Sequence, residues 1–170
     1  MKWLLIILGL LLLVIAVIVI TGLLLPKQHV ATRSLSLRQS PEVVYALIAG
    51  PPTWRSTVRS YEPVGKIDGK TTWREVDQHN NAITYEEEEA VAPSRRVTRI
   101  ADKNLPFGGT WRYDIQPANG GCVLRITENG EVYNPLFRFV SRFVMGHTAT
   151  IDQYLKDVAG HFQEPANLQG

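Results

Sequence analysis

Residues 134–162 read NPLFRFVSRFVMGHTATIDQYLKDVAGHF. Asn134 is a good helix N-cap, and Pro135 suits the first helical position, where a missing N–H costs nothing. Leu136, Val140, Phe143, Val144, His147, Ile151, Leu155, Val158 and Phe162 then recur at helical spacing, while Arg138, Arg142, Asp152, Lys156 and Asp157 fall away from that stripe. The spacing predicts one long amphipathic helix from Asn134 to Phe162, its apolar face buried by the rest of the chain and Arg138 on its polar side. Gly146 in the middle costs about 1 kcal/mol relative to Ala, so it marks a kink, a close approach or room beside the helix. Such room is a first sign of a cavity.

The opposite end of the chain has a different composition. Trp3 to Leu25 is an uncharged apolar run, broken only by Gly9, Thr21 and Gly22, and as a helix it reaches about 34 Å, enough to span a bilayer. Cleaved secretory signals have shorter apolar cores, about 7–15 residues, and a small-x-small site, which is absent before Pro26. We therefore read 3–25 as a retained single-pass anchor in the cell (inner) membrane, 26–30 as a linker, 31–163 as one domain and 164–170 as a tail. Lys2 lies on one side of the span and Lys27, Arg33 and Arg38 on the other. Since the two arginines belong to the domain, the flanking charge favours a domain outside the cytoplasm.

Lys2 and Lys27 lie outside the domain, which leaves 16 basic against 16 acidic residues of the 18 and 16 in the chain. A formally neutral domain argues against a nucleic-acid partner. Cys122 is the single cysteine, so no intramolecular disulfide can form.

From Ala31 to Gln39 apolar and polar residues alternate, as in a strand. Ser40-Pro41-Glu42 then caps a short helix ending at Gly50, and Thr53 caps a second one carrying Trp54 and Val58. Beyond Tyr61 the pattern is strands near 61–67, 71–78, 82–92, 95–102, 109–117 and 121–132. Asp68-Gly69, Asn80-Asn81, Pro93-Ser94 and Asn119-Gly120-Gly121 provide tight antiparallel connections.

Strand, two short helices, six strands and a long helix form a distinctive order. With Ser40-Pro41-Glu42-Val43-Val44-Tyr45, Trp54, Phe107-Gly108-Gly109-Thr110-Trp111-Arg112-Tyr113, Ile126-Thr127-Glu128 and Asn134-Pro135, it resembles the START-like superfamily, also called SRPBCC or polyketide cyclase/dehydrase-like. The resemblance covers about 30–163. It implies an α+β helix-grip fold, in which a curved seven-stranded antiparallel sheet grips the C-terminal helix. It also implies an apolar cavity between them for a lipid-like or aromatic ligand.

The densest charge run is Tyr85-Glu86-Glu87-Glu88-Glu89. If Ile83, Tyr85 and Val91 face inward, a two-residue period puts Glu87 and Glu89 on the concave face, where they would need partners. Arg74 and Arg112 are candidates. Trp111 and Tyr113 share a face and are placed to line a pocket. Leu105-Pro106-Phe107 interrupts two strands with apolar residues, as a hairpin tip, a flap at a cavity mouth or a bilayer contact. His147 lies on the apolar stripe and is a cavity-wall histidine or a base. His29, His79, His147 and His161 show no metal-ligand spacing, and no phosphate-binding glycine loop precedes a helix. No metal and no cofactor are implied.

Three readings follow. The first is a membrane-anchored domain holding a hydrophobic small molecule or lipid, with Trp54, Glu87, Glu89, Phe107, Trp111, Tyr113, Glu128, Phe143 and His147 around the ligand. The second is a cyclase or dehydratase-type enzyme using Glu87, Glu89, Glu128 or His147 as acid or base. The third is an interaction module for another membrane protein. A cavity touching His147 or Trp111 separates the first two from the third.

Overall fold

The computed structural model describes residues 2–170. Helix α1 (Lys2–Leu24) leads into strand β1 (Gln28–Leu37), helix α2 (Pro41–Ala49) and a 3-10 turn (Pro52–Trp54). A meander follows: β2 (Val58–Ile67), β3 (Lys70–Asp77), β4 (Ala82–Val91), β5 (Arg95–Ile100), β6 (Phe107–Ala118) and β7 (Gly121–Val132). The chain closes with α3 (Pro135–Val140), a π turn (Ser141–Met145), α4 (Ala149–His161) and β8 (Leu168–Gln169).

One antiparallel sheet of eight strands runs β2-β3-β4-β5-β6-β7-β1-β8. The meander zips through adjacent hairpins, and β1 closes against β7 with Leu35 opposite Leu124. Bulges between Val58 and Ser60, Pro63 and Gly65, and Glu87 and Glu89 bend the strands, since an extra residue on one side of a ladder increases local twist. The curved sheet around a C-terminal helix is the helix-grip architecture.

Ser40 caps α2 by accepting from the Val43 amide, with Pro41 at its first turn. The core lies between the sheet and the faces of α2 and α4. Leu35, Ile115, Leu124 and Ile126 from strands meet Val44, Ile151, Leu155 and Val158 from helices, all at most 2% exposed. Each such burial contributes about 1.5–3 kcal/mol.

Several boundaries differ from the sequence expectation. The C-terminal helix is not continuous. Gly146 adopts φ +76°, a conformation that ends the helical path, and α4 begins afresh at Ala149. The second half of the apolar stripe is buried as expected. The first half is not: Leu136, Phe143 and Val144 are at least half exposed, while Arg138, expected on the polar side, is only 7% exposed. The second short helix is a single 3-10 turn, and Val58 begins β2 instead. β1 starts at Gln28, within the segment read as linker, and the tail adds β8 to β1 through Leu168 opposite Leu35.

Candidate functional site

A cavity of about 600 Å³ separates the concave face of the sheet from the π turn and the start of α4. The helical path breaks at Gly146, between the π turn and α4, and Gly146, with open space where a Cβ would stand, borders the cavity together with His147. The cavity touches both His147 and Trp111.

At one end stands a cluster of titratable groups. The rings of His29 and His147 stack with centroids 4.1 Å apart and 21° between planes. His29 Nε2 is 3.7 Å from Glu128 Oε1, and His147 Nδ1 is 3.2 Å from Ser141 Oγ. Gly130, opposite His29 in the ladder, makes this possible, because a Cβ there would strike the imidazole. Burial pushes the Glu128 carboxyl up to about 7, with hydrogen bonding from the Trp111 side chain acting the other way. Burial lowers the pKa of His29, and the neighbouring His147 lowers it further. His147 is lowered by burial and then by the charge of Arg142. A neutral imidazole pair therefore faces a carboxyl that titrates near neutrality. Such a group can exchange a proton with a bound molecule.

Deeper in, paired charges and aromatic rings form the wall. Arg55 Nη1 donates to Glu75 Oε2 at 2.8 Å, and Trp73 Nε1 donates to Glu75 Oε1 at 2.9 Å. Arg96 Nε donates to Glu87 Oε1 at 2.9 Å, while its Nη1 donates to the Ile48 carbonyl. The Arg96 guanidinium also lies 4.9 Å from the Trp73 ring centre, and that of Arg55 lies 5.0 Å from the Tyr154 ring. Each arginine thus has a carboxylate and an aromatic face, which makes these buried charges tolerable. Tyr154 is the hub of the rings, with centroids 5.3 Å from Trp54, 5.6 Å from Trp111 and 5.6 Å from Tyr113.

The cavity brings together Trp54, Glu87, Phe107, Trp111, Tyr113, Glu128 and His147 from the sequence expectation. Glu89 and Phe143 are elsewhere. The bulge after Glu87 reverses the alternation, so that Glu89 lies opposite Val97 and pairs with Arg95 at 3.7 Å on the outer face. Phe143 is 60% exposed and lies outside the lining. Neither proposed arginine partner serves Glu87. Arg112 pairs with Asp114 at 2.7 Å, Arg74 is exposed, and Arg96 takes the role. Sequence reasoning missed His29, Arg55, Glu75, Arg96 and Tyr154. Arg96, Glu75 and Tyr154 carried a signal, since alternation puts Arg96 with Thr98 and Glu75 with Trp73 on one face, and Tyr154 lies three and four residues from Ile151 and Val158; His29 and Arg55 carried none. Among the described residues, no group of three or more His, Cys, Asp and Glu side chains is arranged to hold a metal ion.

Solved structures of the same shape are numerous. The START superfamily protein from Mycobacterium smegmatis superposes with a TM-score of 0.63 at 13% identity, over 79% of this chain and 97% of that one. Norcoclaurine synthase from Thalictrum flavum gives 0.61 at 12%, over 81% and 88%. The di-domain aromatase/cyclase StfQ of the steffimycin biosynthetic pathway gives 0.62 at 10%, over 78% of this chain and 50% of that one, so the present chain spans about half of the di-domain's length. At these identities the likeness concerns the fold. No curated protein matches the sequence. Residues 28–161 match the family described as polyketide cyclase/dehydrase and lipid transport, and the chain belongs to that family.

Proposed function

We propose that this protein is a membrane-anchored domain that binds a hydrophobic small molecule or lipid in the cavity between the sheet and the C-terminal helical segment. The cavity carries this reading: its volume of about 600 Å³ falls in the usual range of about 300–1,000 Å³ for ligand sites. Aromatic rings supply apolar contact, and the carboxyl of Glu128 with the His29–His147 pair supplies a polar anchor at one end. Such a lining fits an amphiphile with one hydrogen-bonding end and an apolar body. α1 is long and apolar enough to cross a membrane, and an anchor of this kind would hold the ligand site beside a reservoir of such molecules. Native mass spectrometry of the detergent-extracted full chain tests the reading. A co-purifying hydrophobic molecule, lost when Ile100→Trp narrows the cavity, is the expected result, and a ligand-free protein that binds no apolar probe would reject it.

The Glu128 site favours a second reading, an enzyme of the cyclase or dehydratase type. A carboxyl near pKa 7 beside a neutral histidine pair is suited to moving a proton to or from a bound carbonyl or hydroxyl compound. Turnover abolished by Glu128→Gln with ligand binding retained would support this reading over simple carriage.

A further inference from the structure

The apolar stripe of α3 and the π turn faces away from the sheet. Leu136, Phe137, Phe143 and Val144 are 50%, 49%, 60% and 72% exposed, and the rings of Phe139 and Phe143 pack with centroids 4.9 Å apart. Apolar side chains gathered in this way mark a contact surface, and two observations identify what covers it. The first is continuity with α1. A Cβ at Gly22 would collide with the Pro135 backbone, and Arg138 hydrogen-bonds the carbonyls of Gly22 and Leu25. The second is depth. Ile18, Thr21 and Gly22 in α1, and Leu25 just beyond its end, lose exposure, a spacing that keeps them on one helical face. Ile18 lies about 9 Å along the axis from Leu24, the end of α1. Interfacial helices bury their apolar faces about 5–10 Å into the headgroup and acyl boundary. The exposed Arg142 and Lys27 flank the same region, and their long stems let the charges reach lipid headgroups.

We infer that α3 and the π turn lie in the surface of the bilayer that α1 crosses, and that the cavity therefore opens toward the acyl chains. Phe137, Ser141, Gly146 and His147 belong to or border this segment and also line the cavity. A ligand thus enters laterally from lipid instead of crossing water. The inference rests on α1 being a retained anchor and on the cavity holding an amphiphile.

The test uses the full chain in phosphatidylcholine–phosphatidylglycerol vesicles, with nitroxide labels on Phe143→Cys and, separately, Val144→Cys. Leu12→Cys in α1 and Gln116→Cys, exposed toward the far end of β6, are the references. The native Cys122 is 1% exposed, and a thiol sealed in apolar surroundings is inert to labelling. Collision with oxygen, which partitions into lipid, is compared with collision with a water-soluble nickel chelate. At 143 and 144 the oxygen-to-nickel ratio is expected to exceed that at 116 by roughly tenfold, as for an apolar face immersed in the interface. A ratio equal to that at 116 overturns the inference. So does protection from both reagents, which is what a second copy of the chain or a protein partner on this face would produce. Lipid exposure at 12 without it at 143 and 144 removes this inference alone, whereas nickel exposure at 12 removes the anchor reading with it. Binding of pyrenedecanoic acid in detergent, measured in parallel, tests the cavity reading without reference to the bilayer.

Discussion

Arg138 closes the C-terminal end of α1 by donating from Nη1 to the Gly22 carbonyl at 3.0 Å. The same nitrogen reaches the Leu25 carbonyl at 3.1 Å, and Nη2 reaches the Tyr133 carbonyl at 3.0 Å. The last carbonyls of a helix lack intrahelical partners and carry the negative end of its dipole, so a buried cation is well placed there.

Removing that cation should uncouple α1 from the domain. Arg138→Ala leaves these carbonyls unpaired, at an expected cost of about 1–3 kcal/mol. Faster amide exchange at the α1–β1 junction, with the sheet unchanged, is the expected signature. Unaltered exchange there would show that the contact does not hold α1.

The two halves of the apolar stripe should respond differently to truncation. Ile151 is fully buried, and Ile151→Ala is expected to cost about 2–5 kcal/mol. Phe143 is largely exposed, and Phe143→Ala in detergent should change domain stability by no more than about 0.5 kcal/mol. Denaturant unfolding of both variants decides, and equal losses would contradict the split.

Filling the cavity should remove ligand binding more than it harms folding. Ile100 lines the cavity on a strand, so Ile100→Trp adds volume without violating local backbone preference. Binding of an apolar probe is expected to fall at least about tenfold, equivalent to about 1.4 kcal/mol. Gly146→Leu would be a poor substitute. Open space surrounds a Cβ there, but φ is +76°, so the backbone would be strained whatever the volume gained.

Stability should carry the mark of Glu128. Its carboxyl is raised from the ordinary 4.5 to about 7, so between those values the native state binds more protons than the unfolded one. Stability from this group is therefore present at low pH and lost as pH rises through 7. His29 and His147 are lowered from 6.5, so their contribution has the opposite sign and is lost as pH falls below about 6.5. Glu128→Gln removes only the first effect. Relative to wild type, the variant should gain about 1–3 kcal/mol between pH 5 and pH 8. A difference independent of pH would mean that Glu128 is an ordinary carboxylate.

On the proposed reading of α1 as an anchor, insertion depends on the centre of that helix. Leu11→Arg combined with Ile15→Arg should prevent it, since each central arginine costs about 2.5–3.5 kcal/mol. Carbonate extraction should then release the variant while leaving wild type in the pellet.

Local rules in the sequence determined the apolar span, the cap at Ser40-Pro41, the strand meander and the helical stripe ending at Phe162. Each depends on period and turn chemistry within a few residues. Trp111 and Tyr113 were legible as cavity residues because alternation along β6 is unbroken. Alternation failed at Glu89, where a bulge adds one residue and turns the side chain outward. His29 was invisible as a site residue because its role requires a stack with His147, far away along the chain, and room left by Gly130. The stripe at Leu136 and Phe143 was real, but periodicity shows only that a face is apolar, not what covers it. Tertiary structure decided that. The break at Gly146 separates the first half of the stripe, which lies exposed beside α1 with Arg138 buried against the carbonyls of Gly22 and Leu25, from the buried second half, and the cavity is bordered by the break itself.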